Sequence, residues 1–259
     1  MRPGPDLMAS AVPPTFARPS RHGLVMDDGW TMPFSCYAPL EPRAVAIFLP
    51  GLGVDGGVYT LLAMAIAQTG VLVVLPSLRP DADPVTGLMD LGDVERHTRD
   101  LDALVDLAGR MWPGLPLAIG AHSVACSLVI RRLHLLQARA ERIFLIGPDR
   151  AAQAASARRS LWDLFAGRRR HAAGVRCADL GQRLLASRLP MFVALADAGE
   201  ASPTAAVASS LHWDRASGTA RTVVSFTGAD RLGILRSVLF PLTEWLDQWT
   251  SAAGRCHAG

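Results

Sequence analysis

The sequence predicts an α/β protein, a mostly parallel sheet of about eight strands with helices on both faces. Three observations predict it. Short apolar runs such as "AVAIFLP" (44–50), "VLVVLP" (71–76), "LPLAIG" (115–120), "RIFLIG" (142–147) and "PMFVALA" (190–196) show no polar alternation. Strands buried on both faces read this way. These runs alternate with segments of helical period, as crossovers between parallel strands require. Half of the 259 residues are hydrophobic, yet no apolar run approaches the roughly 20 residues of a membrane span.

Taken in order, residues 1–21 are broken by prolines and have no apolar signal region. They read as a disordered leader rather than a signal peptide, so the expected location is the cytoplasm. "GLVMDDG" and "TMPFSCYAP" read as two short antiparallel strands joined by a turn at Asp28 and Gly29. After the strand 44–50, a helix is expected over 57–69, ended by Gly70. The strand 71–76 leads to a second helix over 92–111, with Leu101, Leu104, Val105, Leu107 and Ala108 on one face. A third helix is expected over 123–139. Residues 148–187 then break the rhythm, being rich in Ala and Arg with no strand, and read as an inserted helical cap. The strand at 190–196, a helix at 203–212 and a strand at 220–226 resume the pattern. The last helix covers 234–249, with Pro241 as a point of kinking. The core is thus expected over 22–147 and 188–250, with a C-terminal tail at 251–259.

Net charge is +3, and all 26 basic residues are Arg, since the chain contains no Lys and no Asn. A mild positive balance spread along a chain does not mark a nucleic-acid partner. Without Lys, Schiff-base chemistry and a P-loop lysine are excluded. Cys36, Cys126, Cys177 and Cys256 form no CxxC and no ligand spacing with His. They read as buried thiols in a reducing compartment, and neither a metal nor a cofactor is expected.

The chemistry concentrates in "PLAIGAHSVACSLVIRRL", residues 116–133. A serine follows a strand and opens a helix, with Ala121 and Ala125 two positions to either side. A nucleophile elbow needs small residues there, because strand and helix backbones crowd at so sharp a turn. The alternative is a serine that merely caps the helix. "GLGVDG", 51–56, is literally GxGxxG after a strand and before a helix, which is the dinucleotide pattern. Against it, two strands precede this one and the next ends in "VLPSLR", without a carboxylate for a ribose. Arg79 is the single residue there suited to a 2′-phosphate.

The stretch "PGLPLAIGAHSVACSLVIRRL" is similar to the strand–GHSxGG–helix segment of the α/β-hydrolase family, in its lysophospholipase or monoacylglycerol-lipase-like branch. "AVAIFLPGLG" resembles that family's strand and HGxG loop, and "TGADRLGIL" resembles the loop that carries its histidine. The likeness covers roughly residues 22–250, with altered motifs. It implies an α/β-hydrolase fold with a helical cap, and a serine hydrolase of esterase, lipase or thioesterase type. Ser123 would be the nucleophile, and the backbone N–H groups of Leu52 and Val124 the oxyanion donors. The acid would follow the strand 190–196, where Asp197 and Glu200 are both candidates, and Asp149 is a further one after the preceding strand. Arg231 occupies the histidine position, and a guanidinium cannot take a proton from serine near neutral pH. His122 would support the elbow, and His212 is the remaining histidine that a loop could bring near. The reading is therefore open between a hydrolase of small acyl or ester substrates, a degenerate fold binding an anionic ligand or partner, and a non-hydrolytic enzyme. Seven arginines between 150 and 176 would favour an anionic substrate over the sheet edge.

Overall fold

The computed structural model describes residues 19–51, 56–79, 94–148, 183–184, 186–197, 221–227 and 232–256. The predicted cap at 148–187 and helix at 203–212 lie almost wholly outside them. Eight strands form one sheet: β1 Ser20–Val25, β2 Thr31–Tyr37, β3 Ala44–Leu49, β4 Val71–Pro76, β5 Leu117–His122, β6 Arg142–Ile146, β7 Met191–Asp197 and β8 Arg221–Thr227. Their spatial order is β1-β2-β4-β3-β5-β6-β7-β8. The β1–β2 and β2–β4 pairs are antiparallel and the other five pairs are parallel. The helices are α1 Gly56–Gln68, α2 Val94–Met111, α3 Cys126–Leu136, α4 Gly233–Ser237 and α5 Leu239–Cys256.

Burial explains the sequence pattern. Every residue of β3, β4 and β5 is buried, hence the predominance of Val, Ile, Leu and Ala in them. β2 alternates exposed and buried in its first half because it lies near the edge. β1 is the exposed edge strand and starts at Ser20, two residues before the predicted core. Its ladder runs through Ser20 opposite Cys36, and an exposed strand leaves no hydrophobic period to read. β5 likewise extends two residues past the predicted "LPLAIG", because His122 still pairs with Ile146 of β6.

The chain goes from β3 through α1 to β4 on one side, then through α2 back to β5 on the other. Right-handed crossovers in opposite directions must use opposite faces. Accordingly α1 packs with α5 on one face, through Tyr59, Leu62, Ile66, Leu242, Leu246 and Trp249. The other face buries Leu101, Leu104 and Val105 of α2 against Leu128, Val129 and Leu133 of α3. The reversal of direction falls between β3 and β5, where open α/β sheets have their ligand crevice.

Gly70 ends α1 with φ +84°, as expected of a left-handed terminator. The predicted last helix is instead two helices that break at Val238. Pro241 sits in the first turn of α5, where a missing N–H is harmless. Its ring would collide with the carbonyl of Ser237 in a continuous helix, so the break precedes the proline by one turn. The last helix, expected to end at 249, continues to Cys256. Thr250 ties this stretch down, its buried hydroxyl donating to the carbonyl of Thr69 at 2.9 Å. No helix among the described residues is long and apolar enough to cross a membrane.

Candidate active site

The ends of β3 and β5 meet at the reversal point of the sheet. Their parallel ladder ends with Leu49 opposite Ala121. Two residues further along each strand stand Gly51 and Ser123. At Ser123 the backbone takes φ +56°, which no other non-glycine residue among the described residues shares. A left-handed serine costs about 1–3 kcal/mol, and such strain persists where the surroundings impose it. Here the strand turns at once into a 3-10 turn, Ser123–Ala125, and then into α3. The predicted continuous helix from 123 is corrected accordingly.

The crowding at this turn accounts for its small residues. Ala121, Ala125 and Cys126 are buried completely between the strand and α3. The Cys126 thiol donates to the carbonyls of Ala121 at 3.3 Å and Ile146 at 3.6 Å, closing the space under the turn. One residue earlier than Ala121, a Cβ on Gly120 would lie 2.0 Å from the Phe144 ring, which stacks on Phe48. Only glycine lets that ring pass.

A helix-capping serine is not what the turn contains. The 3-10 turn is flanked by His122 and α3 by Ala125, and neither end has a side-chain cap hydrogen bond. Ser123 lies inside the turn and is 4% exposed. Val124 follows it, in the first turn, where backbone N–H groups find no partner within the helix.

His122 and Gly51 are joined by a residue that the sequence motifs did not point to. The Gly51 N–H donates to the hydroxyl of Tyr59 at 2.7 Å, and that hydroxyl is 2.8 Å from His122 Nδ1. Tyr59 is fully buried in the first turns of α1, and its ring meets the imidazole edge-on. Its only signal in the sequence is that it is one of two tyrosines in the chain, a polar tip within an apolar helix. His122 is 1% exposed.

The other expected site residues are placed in part. Asp197 is the last residue of β7 and pairs with Thr227, the last of β8, at the same sheet edge. Leu52, Asp149, Glu200, His212 and Arg231 lie outside the described residues. A groove of about 340 Å³ between α1, α4 and α5 is lined mainly by leucines, among them Leu61, Leu62, Leu232 and Leu239, with Arg236 as the charged side chain in its wall; none of the expected site residues lines it.

The dinucleotide pattern is used otherwise. Gly51 spends its N–H on Tyr59. Arg79 is buried and holds two carboxylates bidentately, Asp100 at 2.7 and 3.0 Å and Asp28 at 2.7 and 3.1 Å. It also stacks over Trp30 at 4.2 Å. The Asp100 contact, and then Asp28, hold the guanidinium even more firmly protonated than usual.

No protein-family model matches the sequence, and no curated protein matches it. Solved structures do match its fold. Est1E from Butyrivibrio proteoclasticus superposes with a TM-score of 0.64 at 14% identity, over 90% of this chain and 98% of that one. A soluble variant of monoglyceride lipase from Saccharomyces cerevisiae, bound to a substrate analogue, gives 0.61 at 11% identity, over 89% and 95%. XC6422 from Xanthomonas campestris, described as an α/β serine hydrolase without a lid, gives 0.54 at 18% identity, over 89% and 92%. The chain therefore has the α/β-hydrolase fold.

Proposed function

We propose that the protein is a serine hydrolase acting on carboxylic esters or related acyl bonds, with Ser123 as nucleophile. The observation that carries this reading is the φ of +56° at Ser123, held at the sheet's reversal point. Strain of that kind serves to present a hydroxyl and has no value in a cap. Ser123 Oγ attacks the acyl carbonyl carbon, and the carbonyl electron pair moves onto oxygen. The N–H groups of Val124 and Leu52 hold that oxyanion. Collapse expels the alcohol or thiol, which leaves with a proton, and water then releases the acid and restores Ser123. Asp197 or Glu200 supplies the carboxylate. The serine proton passes to a base other than Arg231, for which His212 is the candidate. The lipase and serine-hydrolase neighbours favour the same class. Two free, buried thiols, Cys36 and Cys126, suit the reducing cytoplasm.

A fluorophosphonate probe and p-nitrophenyl butyrate test this reading. Wild type should label and turn over, and Ser123→Ala should lose both, with a rate at least ~10³-fold lower. Absence of labelling in wild type at any pH overturns it.

A second reading is favoured by Arg231 itself. A hydrolase fold with arginine in place of its base suits a protein that binds an anionic ligand or a partner, or that runs a non-hydrolytic reaction. The variant Arg231→His separates the two. Esterase activity gained by the variant and absent from wild type marks a decayed hydrolase. Activity already present in wild type means that another base works.

A further inference from the structure

The strand ends that would carry the two oxyanion donors belong to segments far apart in sequence. One donor, Leu52, follows Gly51 at the end of β3. The other, Val124, follows His122 and Ser123 at the end of β5. A tetrahedral oxyanion needs both donors at about 2.7–3.1 Å, so the spacing between these two segments decides whether the hole works. The β3–β5 ladder stops at Leu49 and Ala121, short of both. In the loop itself, Pro50 has neither an N–H nor a polar side chain to hold it.

One hydroxyl spans the gap. Tyr59 Oη accepts from Gly51 N–H at 2.7 Å and pairs with His122 Nδ1 at 2.8 Å. A phenol has one proton and two lone pairs, so it serves both partners at once. If Nδ1 is bare, Tyr59 donates to it, and if Nδ1 carries the proton, Tyr59 accepts. Either way the peptide entering the loop and the residue before the nucleophile are fixed to one atom. That atom is itself fixed, because the ring is fully buried and packs edge-on against Phe48 at 5.7 Å.

We propose that Tyr59 is a positioning residue for acyl transfer: its hydroxyl sets the distance between the oxyanion loop and the elbow without touching substrate. The inference rests on the hydrolase reading above. Removing the hydroxyl leaves the loop's Gly51 N–H and the elbow's His122 without their common partner. The transition state, which alone uses both oxyanion donors fully, then suffers more than the bound ester does.

The experiment compares wild type, Tyr59→Phe and Leu246→Ala in the full chain. It measures kcat and KM for p-nitrophenyl butyrate, the rate of Ser123 labelling by a fluorophosphonate, and Tm. Tyr59→Phe should lower kcat and the labelling rate by about ten- to a hundred-fold, with KM within about two-fold. Leu246→Ala opens the same hydrophobic layer away from the site. It should lower Tm at least as much and leave kcat near wild type, so that lost stability and lost positioning are told apart. Amide exchange of Gly51 should speed up in Tyr59→Phe and not in Leu246→Ala. Equal kcat and labelling in wild type and Tyr59→Phe overturns this inference alone, as does an equal kcat loss in Leu246→Ala. No labelling of wild type overturns the hydrolase reading, and the role of Tyr59 with it.

Discussion

Two polar clusters sit at the same edge of the sheet and are built on opposite plans. On the β1–β2–β4 flank, Arg79 is clasped by Asp28 and Asp100 and covered by Trp30. Charge is met by charge, and the guanidinium is buried among its partners. At the β3–β5 centre, Gly51, Tyr59 and His122 form a chain of hydrogen bonds around a buried phenol, and the backbone beside them is strained at Ser123. The flank uses polarity to tie three elements together. The centre uses it to hold a shape that the backbone resists. The Arg79 guanidinium is taken up by two carboxylates and the Gly51 N–H by a phenol, so these two groups are not open to a phosphate.

The sharpest way to break this contrast is at Arg79. Arg79→Met should destabilise by about 3–5 kcal/mol, because it strands the Asp100 carboxylate, whose side chain is 4% exposed. Urea unfolding measures it. Replacing Asp100 with Leu in the same background should restore much of the loss. If Arg79→Met alone is neutral, the clasp is not what holds the flank. Next in size is Gly120→Ala on the centre's own strand, where the new methyl meets the Phe144 ring. It should cost about 1–3 kcal/mol by the same assay. Ser123→Gly should act in the opposite direction, raising stability by about 1 kcal/mol by relieving the left-handed φ while abolishing phosphonate labelling. A loss of stability there would mean that the turn is not strained. The smallest effect concerns Asp28, whose carboxyl is held below the usual range first by the Arg79 hydrogen bond and then by the Trp30 N–H. The folded state thus binds this proton more weakly than the unfolded one. Its stabilisation is present above the unfolded value of about 4 and fades as pH falls through the lower folded value. Asp28→Asn should flatten the decline of urea midpoints below about pH 4 relative to wild type.

The tight turn at Ser123 was readable because its requirements are local. Ala121 and Ala125 flank a serine, a buried apolar run precedes it and an amphipathic pattern follows. Gly70 as a stop was readable for the same reason. Pro241 announced a disturbance, but the break came at Val238, because a proline clashes with the preceding turn and not with its own. The edge strand at Ser20–Val25 was read late because exposed residues carry no burial period. The extension of α5 to Cys256 escaped because a buried Thr250–Thr69 hydrogen bond spans 181 residues. Tyr59 was overlooked for a like reason, since its partner His122 lies 63 residues away.

By itself the sequence determined the order of the eight strands, the predominantly parallel sheet, and the turn on which Ser123 stands. Those follow from hydrophobic period and side-chain size, which neighbouring residues settle among themselves. Tertiary structure alone decided that Ser123 would be strained rather than capping, that Tyr59 would join two strand ends, and that Arg79 would be wholly consumed by Asp28 and Asp100. A hydrogen bond or ion pair needs two groups within about 3 Å, and only the crossovers that return β5 to the side of β3 and lay α2 against the flank bring those groups together.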